Sequence, residues 1–176
     1  MMSDLFIQLL EKLFELLKLI QNRELDRLDE VIEPIFLDMQ EIHNGYLDNL
    51  SQAKQYIRDA EIGRATEFLE MERVELRPLR TNMQVLVGQL SLNQELEKYQ
   101  RLLTAMENYL DPRPSRPVLV EIMGIMSSVK AKGSAQGKNY PKQVSDLIQD
   151  IGIVMEELES SWENIVQEYS RLFETG

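Results

Sequence analysis

KQVSDLIQDIGIVMEELESSWENIVQEYSRLF, residues 142–173, places Val144, Ile148, Ile151, Met155, Leu158, Trp162, Ile165, Tyr169 and Leu172 at alternating steps of four and three. This is the period of one face of a long helix. The flanking apolar residues decide what kind of helix it is. Leu147 and Val154 lie just before seam residues, whereas Val166 and Phe173 lie just after them, so the stripe slides across the seven-residue frame. Such a slide offsets the drift of a straight helix, about 20° per heptad, and keeps one broad face pointing the same way. The neighbours Ser145, Gly152, Glu159, Ser161 and Glu168 lack the paired charges of a two-stranded coiled coil. The segment reads as a helix packed in a bundle.

Further helical patterns run toward the N-terminus. Residues 5–20, LFIQLLEKLFELLKLI, confine Gln8, Glu11, Lys12, Glu15 and Lys18 to one side. A second seam follows at Leu28, Ile32, Ile35, Met39, Ile42 and Tyr46, with Ala53, Ile57 and Ala60 as its extension. Pro34 interrupts it and predicts either a kink or a helix start near Glu33. Gly63 and Pro78 bound the charged stretch GRATEFLEMERVELRP, and a fourth seam runs through Leu92, Leu96, Tyr99, Leu103, Met106 and Leu110. No apolar/polar alternation bounded by hairpin turns suggests a strand. The expected fold is all-α: an elongated bundle of about five helices in one domain spanning 1–176. Its parts are an amphipathic helix 3–21, central helices 23–110, a proline-rich linker 111–117, a short helix 118–130, a glycine- and lysine-rich loop 131–141 and a long helix 142–173.

Composition limits the chemistry. With 176 residues, 43% of them hydrophobic, the chain can build a core, and it has no cysteine. Disulfides, thiolate nucleophiles and cysteine metal sites are therefore excluded, and a reducing, cytoplasmic setting is expected. His43 is the only histidine. It cannot supply the two Glu-x-x-His pairs of a di-iron bundle, and it reads as a boundary residue beside Ile42 and Tyr46. Ser127-Ser128-Val129-Lys130 matches a bare S-x-x-K without its companion elements, and Gly133 with Gly137-Lys138 lacks the spacing of a phosphate loop. Glu67, Glu70, Glu72 and Glu75 spread around a helix within reach of Arg64, Arg73 and Arg77, which marks a solvated, ion-paired face. No catalytic, cofactor-binding or metal-binding residue is assigned, and no enzyme activity is expected.

A net charge of −11 repels nucleic-acid phosphates and anionic lipids at long range. Against that background the bases Arg113, Arg116, Lys130, Lys132, Lys138 and Lys142 outnumber Asp111 and Glu121, a candidate patch for an anionic partner. The N-terminal helix supplies the other candidate surface, through Leu5, Phe6, Leu9, Leu10, Leu13, Phe14, Leu17 and Ile20. Its charges recur too often for a transmembrane span, and it lacks the basic polar face of a membrane-surface helix. The expected function is a non-catalytic protein–protein interaction module: a small subunit, adaptor, regulator or inhibitor. It acts in a hetero-complex or by self-association. The alternatives are a peripheral lipid-contacting protein using residues 5–20, and a nucleic-acid accessory subunit using the basic 111–142 segment.

Overall fold

The computed structural model describes residues 2–111 and 140–174. All regular elements among them are helical, as the sequence pattern predicts. They are α1 (Met2–Gln21), α2 (Leu28–Arg58), α3 (Ile62–Met71), α4 (Arg77–Ser91), α5 (Gln100–Leu110) and α6 (Tyr140–Glu174). Short 3-10 turns at Leu25–Arg27 and Gln94–Tyr99 lead into α2 and α5. At 1.5 Å per residue, the 35 residues of α6 form a rod roughly 50 Å long. None of these helices is long and apolar enough to cross a membrane. The expected linker 111–117, short helix 118–130 and loop 131–141 fall largely outside the described residues.

The helices pack in a ring in which α1 touches α2, α2 touches α6, α6 touches α5, α5 touches α4 and α4 returns to α1. Side-chain pairings give their directions. Lys12 meets Asp38, and Met2 lies against Gly45, so α1 and α2 are antiparallel. Phe36 stacks on Tyr169 and His43 on Trp162, so α2 and α6 are antiparallel as well. The common core includes Phe6, Leu9, Leu13 and Leu16 of α1, Ile32, Ile35, Met39 and Ile42 of α2, Leu102, Leu103 and Met106 of α5, and Ile151 and Ile165 of α6. Each such side chain contributes about 1.5–3 kcal/mol before entropic costs.

The prolines do not end helices. Pro34 lies inside a continuous α2, as its seventh residue, so the Glu30 carbonyl goes without its intrahelical amide donor while the surrounding turns remain helical. Pro78 stands at the start of α4, directly after a π-helical turn, Glu72–Leu76, that joins α3 to α4. A wider turn accommodates the proline ring and its absent donor without breaking the rod.

The real breaks use other residues. After α1 the chain turns at Arg23 (φ 59°), and after α2 at Ala60 (φ 60°). In both turns the next amide reaches back five residues, Glu24 to Leu19 and Glu61 to Tyr56, which closes a left-handed helix cap. Ala60 therefore leaves the seam that its spacing suggested, and Gly63 sits too late to serve as the cap. The fourth seam is also broken. Leu92 is exposed in a turn, and the Asn93 side chain accepts a bond from the Glu95 amide to open the segment that leads to α5. In α6, Leu147, Ile151, Val154, Leu158 and Ile165 are buried, whereas Val166 and Phe173 are exposed. Trp162 and Tyr169 already occupy the rim toward α2, so the two later flanking residues fall outside it.

Left-handed backbone at a residue with a Cβ costs about 1–2 kcal/mol. Ala60→Gly is therefore expected to stabilise the fold by about 1 kcal/mol net of glycine's greater unfolded-state entropy, read as a higher urea midpoint. Ala65→Gly, at a buried position inside α3, is expected to move that midpoint the opposite way.

Candidate functional site

Four helices bring polar and aromatic groups together in the middle of the bundle. His43 of α2 is 4% exposed, and its Nδ1 lies 3.0 Å from the Tyr109 hydroxyl of α5. Its ring lies face to face with Trp162 of α6, centroids 5.0 Å apart and planes 15° from parallel. Trp162 in turn stacks on Phe36, and Phe36 on Tyr169, with Phe173 edge-on at the end of the column. Tyr109 also meets Trp162 edge to face.

Arg80 of α4, 7% exposed, closes the other side of this junction. Its Nε donates to the Leu110 carbonyl at 3.0 Å and its Nη2 to the Tyr109 carbonyl at 2.7 Å. These carbonyls end α5, where the helix dipole presents partial negative charge. The guanidinium also lies over the Tyr46 and Tyr109 rings, 5.3 and 5.9 Å from their centroids. Among the described residues, no carboxylate bonds to Arg80 or His43. The buried charge is thus held by a helix end and two aromatic faces.

Burial also controls the titration of His43. Desolvation lowers its pKa from 6.5 to about 4, because a charged imidazolium would lose its hydration in the core. The ring is therefore neutral at pH 7. It lies deeper than the boundary position that its spacing suggested.

Two further polar sites link helices. Lys12 donates to Asp38 Oδ1 at 2.6 Å, while Asp38 Oδ2 is buried with no hydrogen-bond partner among the described residues. The Tyr99 hydroxyl and Lys98 both donate to Asp29. Tyr99 and Lys98 hold the Asp29 carboxyl below the usual range, while burial first and then Asp29 push the Tyr99 phenol up. A polar groove of about 360 Å³ runs between α5 and α6, lined by Gln100, Arg101, Thr104, Ala105, Asn108, Asn164 and Glu168. Among the described residues, no group of three or more His, Asp or Glu side chains is arranged to hold a metal ion.

The candidate interface residues of α1 separate into two sets. Phe6, Leu9 and Leu13 are fully buried, while Leu5, Leu10, Leu17 and Ile20 are half-buried against the core. Phe14 is 49% exposed, and Ile7, which the sequence reading did not include, is 47% exposed. Together Ile7, Leu10, Phe14 and Leu17 form an outward row at helical spacing. Of the proposed anionic-partner patch, Lys142 is exposed on the first turn of α6. Arg113, Arg116, Lys130, Lys132 and Lys138 lie outside the described residues.

Arg80 was the main omission of the sequence reading, although a signal existed. It falls in register with Leu76, Met83 and Val87, all of which are buried, so a base occupied an otherwise apolar face. Its partners, the backbone carbonyls at 109 and 110, leave no trace in side-chain patterns.

No protein-family model matches the chain, and neither a curated protein nor a solved structure matches it.

A group whose folded pKa is depressed below its unfolded value disfavours folding as pH falls, since the unfolded chain binds more protons. For His43 the full stability is present above pH 6.5 and is lost progressively toward pH 4, by up to roughly 3 kcal/mol at 1.36 kcal/mol per pH unit. Urea midpoints measured between pH 7 and pH 5 check this, and His43→Phe is expected to flatten the dependence. Arg80→Met is expected to cost about 3 kcal/mol, because it strips charged donors from two buried carbonyls.

Proposed function

We propose that the protein is a non-catalytic helical interaction module, a subunit or adaptor that binds another protein through the outer edge of α1. The observation that supports this reading is the outward row of exposed Ile7 and Phe14 with half-buried Leu10 and Leu17. α1 already commits Phe6, Leu9, Leu13, Leu16 and Leu19 to the core, so the outward row is additional to what the fold requires. A single exposed leucine is ordinary on a protein surface. Two large exposed residues seven apart, flanked by two half-buried ones, make a continuous strip that a partner helix or groove can cover.

The polar side of the same helix favours a protein partner over a lipid surface. Glu11 and Glu15 are exposed there beside Lys18, whereas membrane-surface helices carry a predominantly basic polar face. His43, the only histidine, is enclosed and neutral, which supports a structural rather than an acid–base role.

The double substitution Ile7→Asp with Phe14→Asp is expected to leave folding intact, since both positions face outward, and to reduce partner recovery at least about tenfold, corresponding to 1.4 kcal/mol or more of lost binding. Affinity purification of the tagged wild type and variant from the native host, at moderate and high salt, checks this. Equal recovery of a stoichiometric partner by both proteins would refute the proposal, and flotation of the wild type with neutral liposomes would replace it with the lipid-contact reading.

A further inference from the structure

We infer that His43 is an acid-sensitive latch on α6: protonation of its ring releases Trp162, and the helix that carries it, from a core of α1 to α5 that stays folded. The inference rests on how the elements around this side chain are tied together. Among the described residues, the interhelical side-chain hydrogen bonds join the other helices and do not involve α6. Lys12 to Asp38 links α1 to α2, Asp29 to Lys98 and Tyr99 links α2 to the turn before α5, and Arg80 links α4 to the end of α5. α6 meets α2 and α5 through aromatic contacts, Trp162 on His43 and Phe36, Tyr169 on Phe36, and Trp162 against Tyr109, beside the polar groove it shares with α5.

Among the described residues, the groups around His43 offer a proton no compensating negative charge. α5 presents the Tyr109 hydroxyl, α6 the uncharged indole of Trp162, and α4 the guanidinium of Arg80 over the same Tyr109 ring. From α1, Phe6 packs edge-on to the neighbouring Tyr46 of α2. Among the described residues no carboxylate is bonded to either base. An imidazolium would therefore add a second positive charge to a site that already buries one, and among the described residues neither charge is bonded to a carboxylate. Its attraction to the Trp162 face is a partial offset only, because the ring remains cut off from water.

Water must reach the ring to stabilise the charge, and Trp162 is what covers its face. Moving α6 breaks none of the interhelical hydrogen bonds named above. Moving α5 instead would separate Tyr109 and Leu110 from Arg80. The least disruptive route to a hydrated His43 is therefore the release of α6, which would uncover Leu147, Ile151, Val154, Leu158 and Ile165.

The chain carries one histidine and one tryptophan, so each signal belongs to a known position. The test follows Trp162 emission and acrylamide quenching of the full chain from pH 7 to pH 4, alongside hydrogen exchange by mass spectrometry corrected for intrinsic rates. The expected result is a red shift and several-fold greater quenching, with protection lost in peptides from 144–172 and retained in peptides from α2 and α5. His43→Phe should abolish the transition, and the exchange map of the wild type gives a result even if this variant folds poorly. Simultaneous loss of protection in all helices, an unchanged Trp162 signal down to pH 4, or the same transition in a folded His43→Phe protein would each overturn the inference.

Discussion

The structure depends on the burial of Arg80 at the end of α5. A guanidinium in a core is costly unless its donors and charge are both satisfied. Here two backbone carbonyls and the helix dipole do so, together with the Tyr46 and Tyr109 rings. This fixes the end of α5 against α4 and aims the Tyr109 hydroxyl at His43. His43 then presents a flat, neutral face on which Trp162 stacks. One buried cation thus sets the relation of four helices through a chain of short contacts, and removing a member leaves the next one unsupported.

Apolar packing supplies most of the favourable energy, but it does not by itself fix the register between long, leucine-rich helices. The polar contacts act at separate levels along the bundle. Asp29 with Tyr99 and Lys98 sets the start of α2 against the approach to α5, Asp38 with Lys12 sets its middle against α1, and His43 with Tyr109 sets the next turns against α5. At Gly45, a Cβ would overlap Met2 Sδ, so the space left by the absent side chain is filled by the methionine at the start of α1. Sliding either helix by one turn would break several of these contacts together.

The sequence predicted the fold class because long seams such as Leu28 to Ile57 and Val144 to Leu172 have a single economical reading. Local punctuation was less informative. Pro34 and Pro78 look like breaks, yet α2 runs continuously through the first and a π-helical turn leads into the second. Arg23 and Ala60 look unremarkable, yet they adopt the left-handed conformation that ends helices. The buried junction was only partly legible. His43 stood out because it is unique, whereas its neutral state depends on enclosure by residues 66 and 119 positions away, Tyr109 and Trp162. The outward row of α1 was hidden for the opposite reason: a helix apolar around most of its surface does not reveal which residues the bundle will cover, so Phe6 and Phe14 could not be separated until α2 and α4 were in place.

The protonation state of His43 tests this account most directly. Long-range nitrogen–proton correlation spectra of the imidazole, recorded from pH 7.5 to pH 5, report its charge and tautomer without relying on a stability model. The enclosed junction predicts a neutral ring in one tautomer at pH 5.5, well below the ordinary histidine midpoint of 6.5. A ring that titrates near 6.5 while the protein stays folded would show that water reaches it, and would contradict both its enclosure by Trp162 and the role assigned to α6.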